Sequence, residues 1–101
     1  MRESGLWLKQ YYPSPKGIMD GSTIVSYYSG GTWKPMPWAE APLILKYIEV
    51  QKPDFLVLNL APWNARALEL RQQLDREPRA KFLREFGGST VSTIRIYRWS
   101  P

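Results

Sequence analysis

The sequence contains no cysteine and no histidine, and these two absences remove most familiar enzyme chemistry. Without cysteine the chain can form no disulfide, no zinc–thiolate site and no thiol nucleophile. Without histidine it lacks the commonest general base and metal ligand, and with it any Ser-His-Asp triad. We therefore expect no metal, no cofactor and no catalytic residue in this chain.

Long apolar runs are also missing. The best stretch, Phe55 to Pro62, is short enough for a strand and far from the ~20 residues of a membrane helix. The first five residues lack the apolar segment of a signal peptide. With 101 residues, 44% of them hydrophobic and 14% aromatic, the chain can bury one core, so we predict a single domain over residues 1–101.

The acidic residues are scattered, and none forms an evident catalytic pair. Asp75 and Glu77 lie close in sequence, but they sit at a predicted helix end beside Arg76 and Arg79, where charge pairing explains them. Catalytic carboxylates are usually brought together from separate elements that split their pKa values. The acids therefore nominate no catalytic site.

Apolar spacing and breaker residues divide the chain into helices and strands. Helices are predicted over residues 3–12, 39–51 and 65–76. Ser4 is the expected cap of the first helix, and Pro13 and Pro15 end it. Strands are predicted over residues 17–20 and 55–60, with an edge strand over 32–36 that contains Pro35. Residues 81–86 and 91–99 flank Gly87-Gly88-Ser89 and predict a β-hairpin.

Residues 22–31 are ambiguous. Their β-branched and aromatic residues favour a strand, whereas Ser22 as a cap and Gly30-Gly31 as a stop favour a short helix, which we prefer. The order of elements predicts an α/β fold: a small three-layer domain with a largely parallel sheet of four to five strands and a C-terminal antiparallel hairpin. The predicted core of the sheet is Ile18, Phe55, Val57, Leu58, Ile94 and Ile96, packed by Leu6, Ile44, Ile48, Leu68 and Leu74.

Positive charge is concentrated in the second half of the chain. The net charge is +5, and residues 61–101 hold most of the excess, chiefly as arginine. Such a surface can attract nucleic acid, anionic lipid headgroups or a phosphorylated ligand, or it can simply be solvated. Arg66, Arg79 and Arg84 are the candidate ligand-facing or membrane-facing cations. No nucleic-acid-binding motif accompanies the charge.

Asp20 is the most suggestive acid, because it ends the first predicted strand and α/β sheets bind ligands beyond the carboxyl ends of their strands. The alternative is a turn formed by Asp20 and Gly21. Tyr28, Trp33 and Trp38 lie in a segment too irregular to bury them all. They could stack on sugar rings or nucleobases, lie at a lipid headgroup layer, or cover the small sheet.

The pattern as a whole is familiar. Gly-Leu-Trp-Leu-Lys at 5–9 precedes a proline-rich turn and Gly-Ile-Met-Asp at 17–20. Ile-Val-Ser-Tyr-Tyr-Ser-Gly-Gly follows at 24–31, a helix leads into Pro-Asp-Phe-Leu-Val-Leu at 53–58, and Ile-Arg-Ile-Tyr-Arg closes the chain at 94–98. This order resembles the C-terminal soluble domain of polytopic glycosyltransferases that use polyprenyl-phosphate-linked sugars, a superfamily that includes the dolichyl-phosphate-mannose-protein mannosyltransferases and the lipid A aminoarabinose transferase. Ser26 and Phe55 depart mildly from its usual alanine and tyrosine.

The resemblance implies a non-catalytic accessory domain cut from a larger membrane protein, because the catalytic acids of that superfamily lie between membrane helices. The implied location is the extracytoplasmic face of the membrane. The implied partners are the parent transmembrane domain, the bilayer surface, and a lipid-linked sugar or acceptor. The alternative is a free-standing α/β module that binds an anionic ligand or nucleic acid, although nucleic acid is the less expected partner.

Overall fold

Helices and strands alternate along the chain in the order that the sequence predicts. The structure, a computed structural model, describes residues 2–14, 16–37, 39–61, 64–87 and 93–100. In chain order its elements are α1 (Arg2–Tyr11), β1 (Gly17–Asp20), α2 (Ile24–Ser29), β2 (Thr32–Pro35), α3 (Ala41–Gln51), β3 (Phe55–Asn59), α4 (Ala65–Asp75), β4 (Ala80–Gly87) and β5 (Thr93–Trp99). The predicted hairpin is confirmed by its two strands. Its Gly88-Ser89 turn and Val91 lie outside the described residues.

The strands form one five-stranded sheet in the order β2-β1-β3-β5-β4. β1 pairs in parallel with both β2 and β3, whereas β5 pairs antiparallel with β3 and β4. The strands β1 to β4 therefore all point one way, and β5 alone runs against them. This confirms the predicted α/β sheet with a C-terminal antiparallel hairpin, and β2 lies at an edge as its proline requires.

Helices cover both faces of the sheet, which makes the domain three layers deep. Through α2 the chain passes from β1 to its neighbour β2. Through α3 it then returns across β1 to form β3 on the far side of β1. Because such crossovers are right-handed, opposite directions of travel place the two helices on opposite faces. On the α1/α2 face the buried residues are Leu8, Ile18, Val25, Phe55, Val57, Ile94 and Ile96. On the α3/α4 face they include Met19, Ile44, Ile48, Leu56, Leu58, Leu70, Leu74, Tyr97 and Trp99.

The ambiguous segment after β1 folds as a short helix. Gly30 ends α2 in the left-handed conformation at φ 74°, and Gly31 N–H donates to the Ser26 carbonyl oxygen at 3.1 Å. A residue with a Cβ would be strained at that φ, so the glycine decides where the helix stops. Thr23 occupies the cap position expected for Ser22, although the Ser22 hydroxyl still accepts from Ile24 N–H at 3.3 Å.

Two expectations for α1 are wrong. The helix begins at Arg2, so Ser4 is buried within it rather than capping it, and Leu6 is 43% exposed. The reason is a close helix crossing: a Cβ placed on Gly5 would lie 2.6 Å from the Tyr28 Cβ of α2. The face centred on Ser4, Gly5 and Leu8 therefore packs inward, and Leu6, about 100° further round the helix than Gly5, turns outward.

On α4, Leu68 is only partly buried, because the side of the helix that carries Ala67, Leu70 and Leu74 faces the sheet. The rest of the predicted core is buried.

Candidate functional site

A cleft of about 310 Å³ opens at the carboxyl ends of β1 and β3. We call it the Asp20 cleft. Its polar lining includes Asp20, Asn59, Asn64 and Arg66, and its apolar lining includes Met36, Ile44, Leu58 and Leu70. The cleft thus brings together two of the residues nominated from sequence, Asp20 and Arg66, which are 46 positions apart in the chain.

The position of the cleft follows from the topology. After β1 the chain leaves for β2 on one side, and it returns to form β3 on the other side, so the strand order reverses between β1 and β3. The helices that follow neighbouring strands diverge there to opposite faces and leave a crevice. Open α/β sheets bind their ligands at such switch points, outside the carboxyl ends of the strands.

Asp20 is a buried carboxylate, with only 3% of its surface exposed. Burial raises the pKa of Asp20 to about 6, and interactions with the backbone N–H groups of Ser22 and Gly21 act in the opposite direction. Its Oδ2 is buried without a hydrogen-bond partner within the described part of the chain. Such a group costs the folded protein free energy, and residues retained at that cost are frequent in functional sites.

Asn59 and Asn64 belong to the site, and the sequence analysis did not nominate them. Asn64 is the N-cap of α4: its Oδ1 accepts from Ala67 N–H at 3.2 Å, and its Nδ2 donates to the Asn59 carbonyl oxygen at 3.2 Å. The side-chain Oδ1 of Asn59 is buried without a partner among the described residues. The available signal was position, because Asn59 ends β3 just as Asp20 ends the neighbouring strand β1.

Arg66 lies in the first turn of α4 and is partly buried. A cation is electrostatically unfavourable there, because the free N–H groups of a helix start carry partial positive charge. The Arg66 guanidinium and the N–H groups at the start of α4 both contribute positive charge at this end of the cleft, opposite in sign to the Asp20 carboxylate. The cleft is therefore polarised, with one acidic and one basic region over an apolar floor.

The nominated aromatic residues fall in different places. Trp33 is 41% exposed, and its Nε1 donates to the Asp20 carbonyl oxygen at 2.9 Å, so its ring borders the Asp20 end of the sheet. Tyr28 lies on α2, where it contacts the Tyr27 ring and the Arg2 guanidinium stands 5.8 Å from its ring centre. Tyr28 does not line the Asp20 cleft. Trp38 lies outside the described residues.

The other nominated arginines do not join Arg66. Arg79 forms ion pairs with Glu77 at 2.8 Å and Glu49 at 2.9 Å, and these partners raise the pKa of Arg79. The Arg84 guanidinium lies 5.8 Å from the Trp7 ring centre and 5.0 Å from the Phe86 ring centre, on the α1 side.

A further arginine, Arg95, pairs with Asp75 and Glu85 on the α4 side. The basic second half of the chain is thus distributed over both faces of the sheet, and Arg79 and Arg95 are paired with carboxylates.

A second, wider hollow of about 630 Å³ lies at the amino ends of β1 and β3, beside Tyr12, Lys16 and Arg98. Lys16 is buried and donates to the carbonyl oxygens of Ser14 and Ser29, at 3.1 and 3.3 Å. Burial lowers the pKa of Lys16, and the charge of Asp54 opposes that shift. Because Ser29 ends α2, this lysine satisfies carbonyl groups at a helix terminus, which is a structural role.

Neither a metal centre nor a membrane span is found in the described ranges. No three acidic side chains within them are grouped so that they could hold a metal ion. No helix in the same part of the chain is long and apolar enough to cross a bilayer. The site that the structure offers is therefore the polarised Asp20 cleft.

Comparisons of the chain with protein families, with curated proteins and with solved structures found no match.

Proposed function

We propose that this chain is a non-catalytic binding domain that receives the phosphorylated headgroup of a lipid-linked sugar for a membrane glycosyltransferase. The observation that carries the proposal is the meeting of Asp20 and Arg66 in one cleft at the switch point of the sheet. A sugar phosphate has the matching chemistry, since it combines hydroxyl groups, an apolar C–H surface and a negative charge. The lipid-linked donor and the extracytoplasmic parent protein come from the sequence resemblance described above.

Arg66 is the element of the cleft suited to a phosphate. A guanidinium offers several N–H donors in a fixed planar array, and charge-assisted hydrogen bonds to phosphate are stronger than neutral ones. The first turn of α4 adds its partial positive charge. The apolar floor of the cleft, formed by Ile44, Leu58 and Leu70, offers a surface on which the C–H face of a sugar ring can pack.

Nothing in the chain's chemistry supports catalysis of sugar transfer by this domain itself. It has no histidine and no cysteine, and Asp20 is the one carboxylate among the described residues that line the cleft. Glycoside hydrolysis ordinarily uses a pair of carboxylates. A role in binding and presentation suits a cleft with a single acid.

The first test is a titration of the purified chain with a hexose 1-phosphate, followed by chemical-shift changes of backbone amides. We expect saturable binding that moves the amides of residues 20–22 and 64–67. Arg66→Gln should weaken it about tenfold, the effect of losing roughly 1.4 kcal/mol of charge-assisted hydrogen bonding. Arg76→Gln is the matched control, because Arg76 is exposed and caps the far end of α4, about 15 Å from Arg66. Equal losses in the two variants, or no binding at all, would refute the proposal.

The second test addresses the lipid. Vesicles of neutral lipid that contain a short polyprenyl-phosphate-sugar should bind the chain more tightly than the same vesicles without it, and Arg66→Gln should remove the difference. Anionic vesicles should bind the chain weakly and release it above ~0.3 M salt, because the Debye screening length shortens as the salt concentration rises. Tighter binding to a single-stranded oligonucleotide, with quenching of tryptophan fluorescence, would instead favour the nucleic-acid alternative.

A further inference from the structure

Two hydrogen-bond acceptors in the Asp20 cleft are left without donors. Among the described residues, Asp20 Oδ2 and Asn59 Oδ1 are both buried and unpartnered, and both residues line the cleft. They end adjacent parallel strands, because β1 pairs directly with β3. An acceptor buried without a donor costs about 1–3 kcal/mol, so two of them in one cleft point to donors that arrive with a ligand.

The backbone at both strand ends is held in place. The Asp20 carbonyl oxygen accepts from Trp33 Nε1 at 2.9 Å and from Met36 N–H at 3.0 Å. Asn59 pairs with Ile94 in β5, and its carbonyl oxygen accepts from Asn64 Nδ2. Acceptors mounted on fixed backbone lose little entropy when a ligand binds, which favours recognition of one ligand geometry.

The charge of each region decides which part of a sugar phosphate it can take. A phosphate beside Asp20 would meet a carboxylate of the same sign in a poorly solvated position, and Asn59 Oδ1 offers it no proton. Hydroxyl groups, in contrast, donate to both acceptors. The phosphate is therefore assigned to Arg66, whose side chain is more exposed than that of Asp20.

We infer that the Asp20 cleft recognises the sugar ring of its ligand, with Asp20 and Asn59 accepting hydrogen bonds from ring hydroxyls while Arg66 holds the phosphate. This inference rests on the proposed function and adds to it the orientation of the ligand. The sugar enters first, and the phosphate with whatever it is attached to stays toward the outside. The domain then discriminates between sugars and is not a general phosphate binder.

Gly21 supplies a probe that leaves the fold intact. It lines the cleft immediately after Asp20, and a Cβ built on it would have no heavy atom within 4 Å. A side chain at this position therefore enters open space next to the residue that carries the cleft carboxylate. Gly21→Val should fill the space meant for a sugar ring and leave the Arg66 region of the cleft unobstructed.

The experiment compares a hexose 1-phosphate with inorganic phosphate, using the purified chain and its variants. We expect the native chain to bind the hexose phosphate at least about tenfold more tightly than inorganic phosphate, from two or more added hydrogen bonds. Asp20→Asn and Gly21→Val should lose this preference and keep the affinity for inorganic phosphate. Arg66→Gln should weaken both ligands. Glu40→Gln, which removes an exposed carboxylate that does not line the cleft, should change neither.

The outcomes separate the two claims. If both phosphates bind equally to the native chain, or if Asp20→Asn and Gly21→Val keep the preference, the assignment of the sugar to Asp20 is wrong while phosphate binding survives. If neither phosphate binds, the proposed function fails and the orientation fails with it. Thermal unfolding of each variant, monitored by circular dichroism, establishes that a lost preference is not a lost fold.

Discussion

The indole Nε1 of Trp33 donates to the carbonyl oxygen of Asp20 at 2.9 Å and ties the exposed edge strand β2 to the end of β1. The N–H of Met36 donates to the same oxygen at 3.0 Å. Two donors on one carbonyl oxygen fix the backbone direction where the chain leaves β1. They thereby fix the position of the Asp20 Cα, from which the side chain extends. A partly exposed tryptophan is thereby a positioning residue for a buried carboxylate.

Replacing the Asp20 carboxylate should stabilise the domain at neutral pH. The native pKa of about 6 lies above the ordinary value of 3.8, so the folded state holds this proton more tightly than the unfolded state does. Folding stability therefore falls as the pH rises from about 4 to about 6, and the cost persists above that. Its upper limit is about 3 kcal/mol, from roughly two pKa units at 1.36 kcal/mol each. We expect Asp20→Asn to recover about 1–3 kcal/mol at pH 7.

Thermal melts at pH 4, 5, 6 and 7 measure this effect. The difference in melting temperature between Asp20→Asn and the native chain should grow through that window in favour of the variant. Glu40→Gln serves as the control, because Glu40 is exposed, and should follow the native chain at every pH. A variant that is less stable than the native chain at pH 7 would show that the carboxylate contributes to the fold.

A charge in the middle of β3 should abolish folding. Val57 is 2% exposed and packs in the core of the α1/α2 face. Val57→Asp buries an unpaired carboxylate at a cost of several kcal/mol, which is comparable with the ~5–15 kcal/mol that stabilises a typical domain. Val50→Asp makes the same change at a position that is 74% exposed and should be nearly neutral. A cooperative melt of Val57→Asp within a few degrees of the native chain would contradict the assigned core.

The crossing of α1 and α2 should not tolerate a methyl group at Gly5. A Cβ there would lie 2.6 Å from the Tyr28 Cβ and 2.9 Å from the Val25 carbonyl oxygen, both of which belong to the facing helix. We expect Gly5→Ala to cost about 1–3 kcal/mol, because the helices must separate. For a domain of this size that lowers the melting temperature by about 4–8 °C per kcal/mol.

Gly21→Ala adds the same methyl group in open space and should shift stability by less than ~0.5 kcal/mol. If both alanine variants melt together with the native chain, the helix crossing is looser than this geometry requires.

The chain alone should transfer no sugar. Incubated with a radiolabelled polyprenyl-phosphate-sugar and an acceptor, it should release no product above a protein-free control, because it has no histidine and the described lining of the cleft holds no second carboxylate. Turnover that Asp20→Asn abolishes would overturn the assignment of a non-catalytic role. Turnover unaffected by Asp20→Asn would place the chemistry elsewhere in the chain.

The sequence by itself was enough to predict the fold class, because the signals that place most helices and strands agreed with the final packing. The short apolar run in β3 indicated a strand, Pro35 marked the edge at β2, and the two glycines after Ser29 marked the end of α2. Asp20 could be nominated because the end of a strand that helices cover is a position with a known functional bias. These are properties of neighbouring residues, so they can be read without knowing which distant residues meet.

Only the tertiary structure decided which face of α1 points inward and which residues share the cleft. Leu6 looks like a core residue by type, yet the close approach at Gly5 rotates it into solvent. Asp20, Asn59 and Arg66 come from three separate elements, and they meet because the strand order reverses between β1 and β3. Arg79 and Arg95 form ion pairs with carboxylates that the fold brings beside them, outside the Asp20 cleft. The composition gives the number of charged residues, and only the three-dimensional packing determines which of them lie at the cleft.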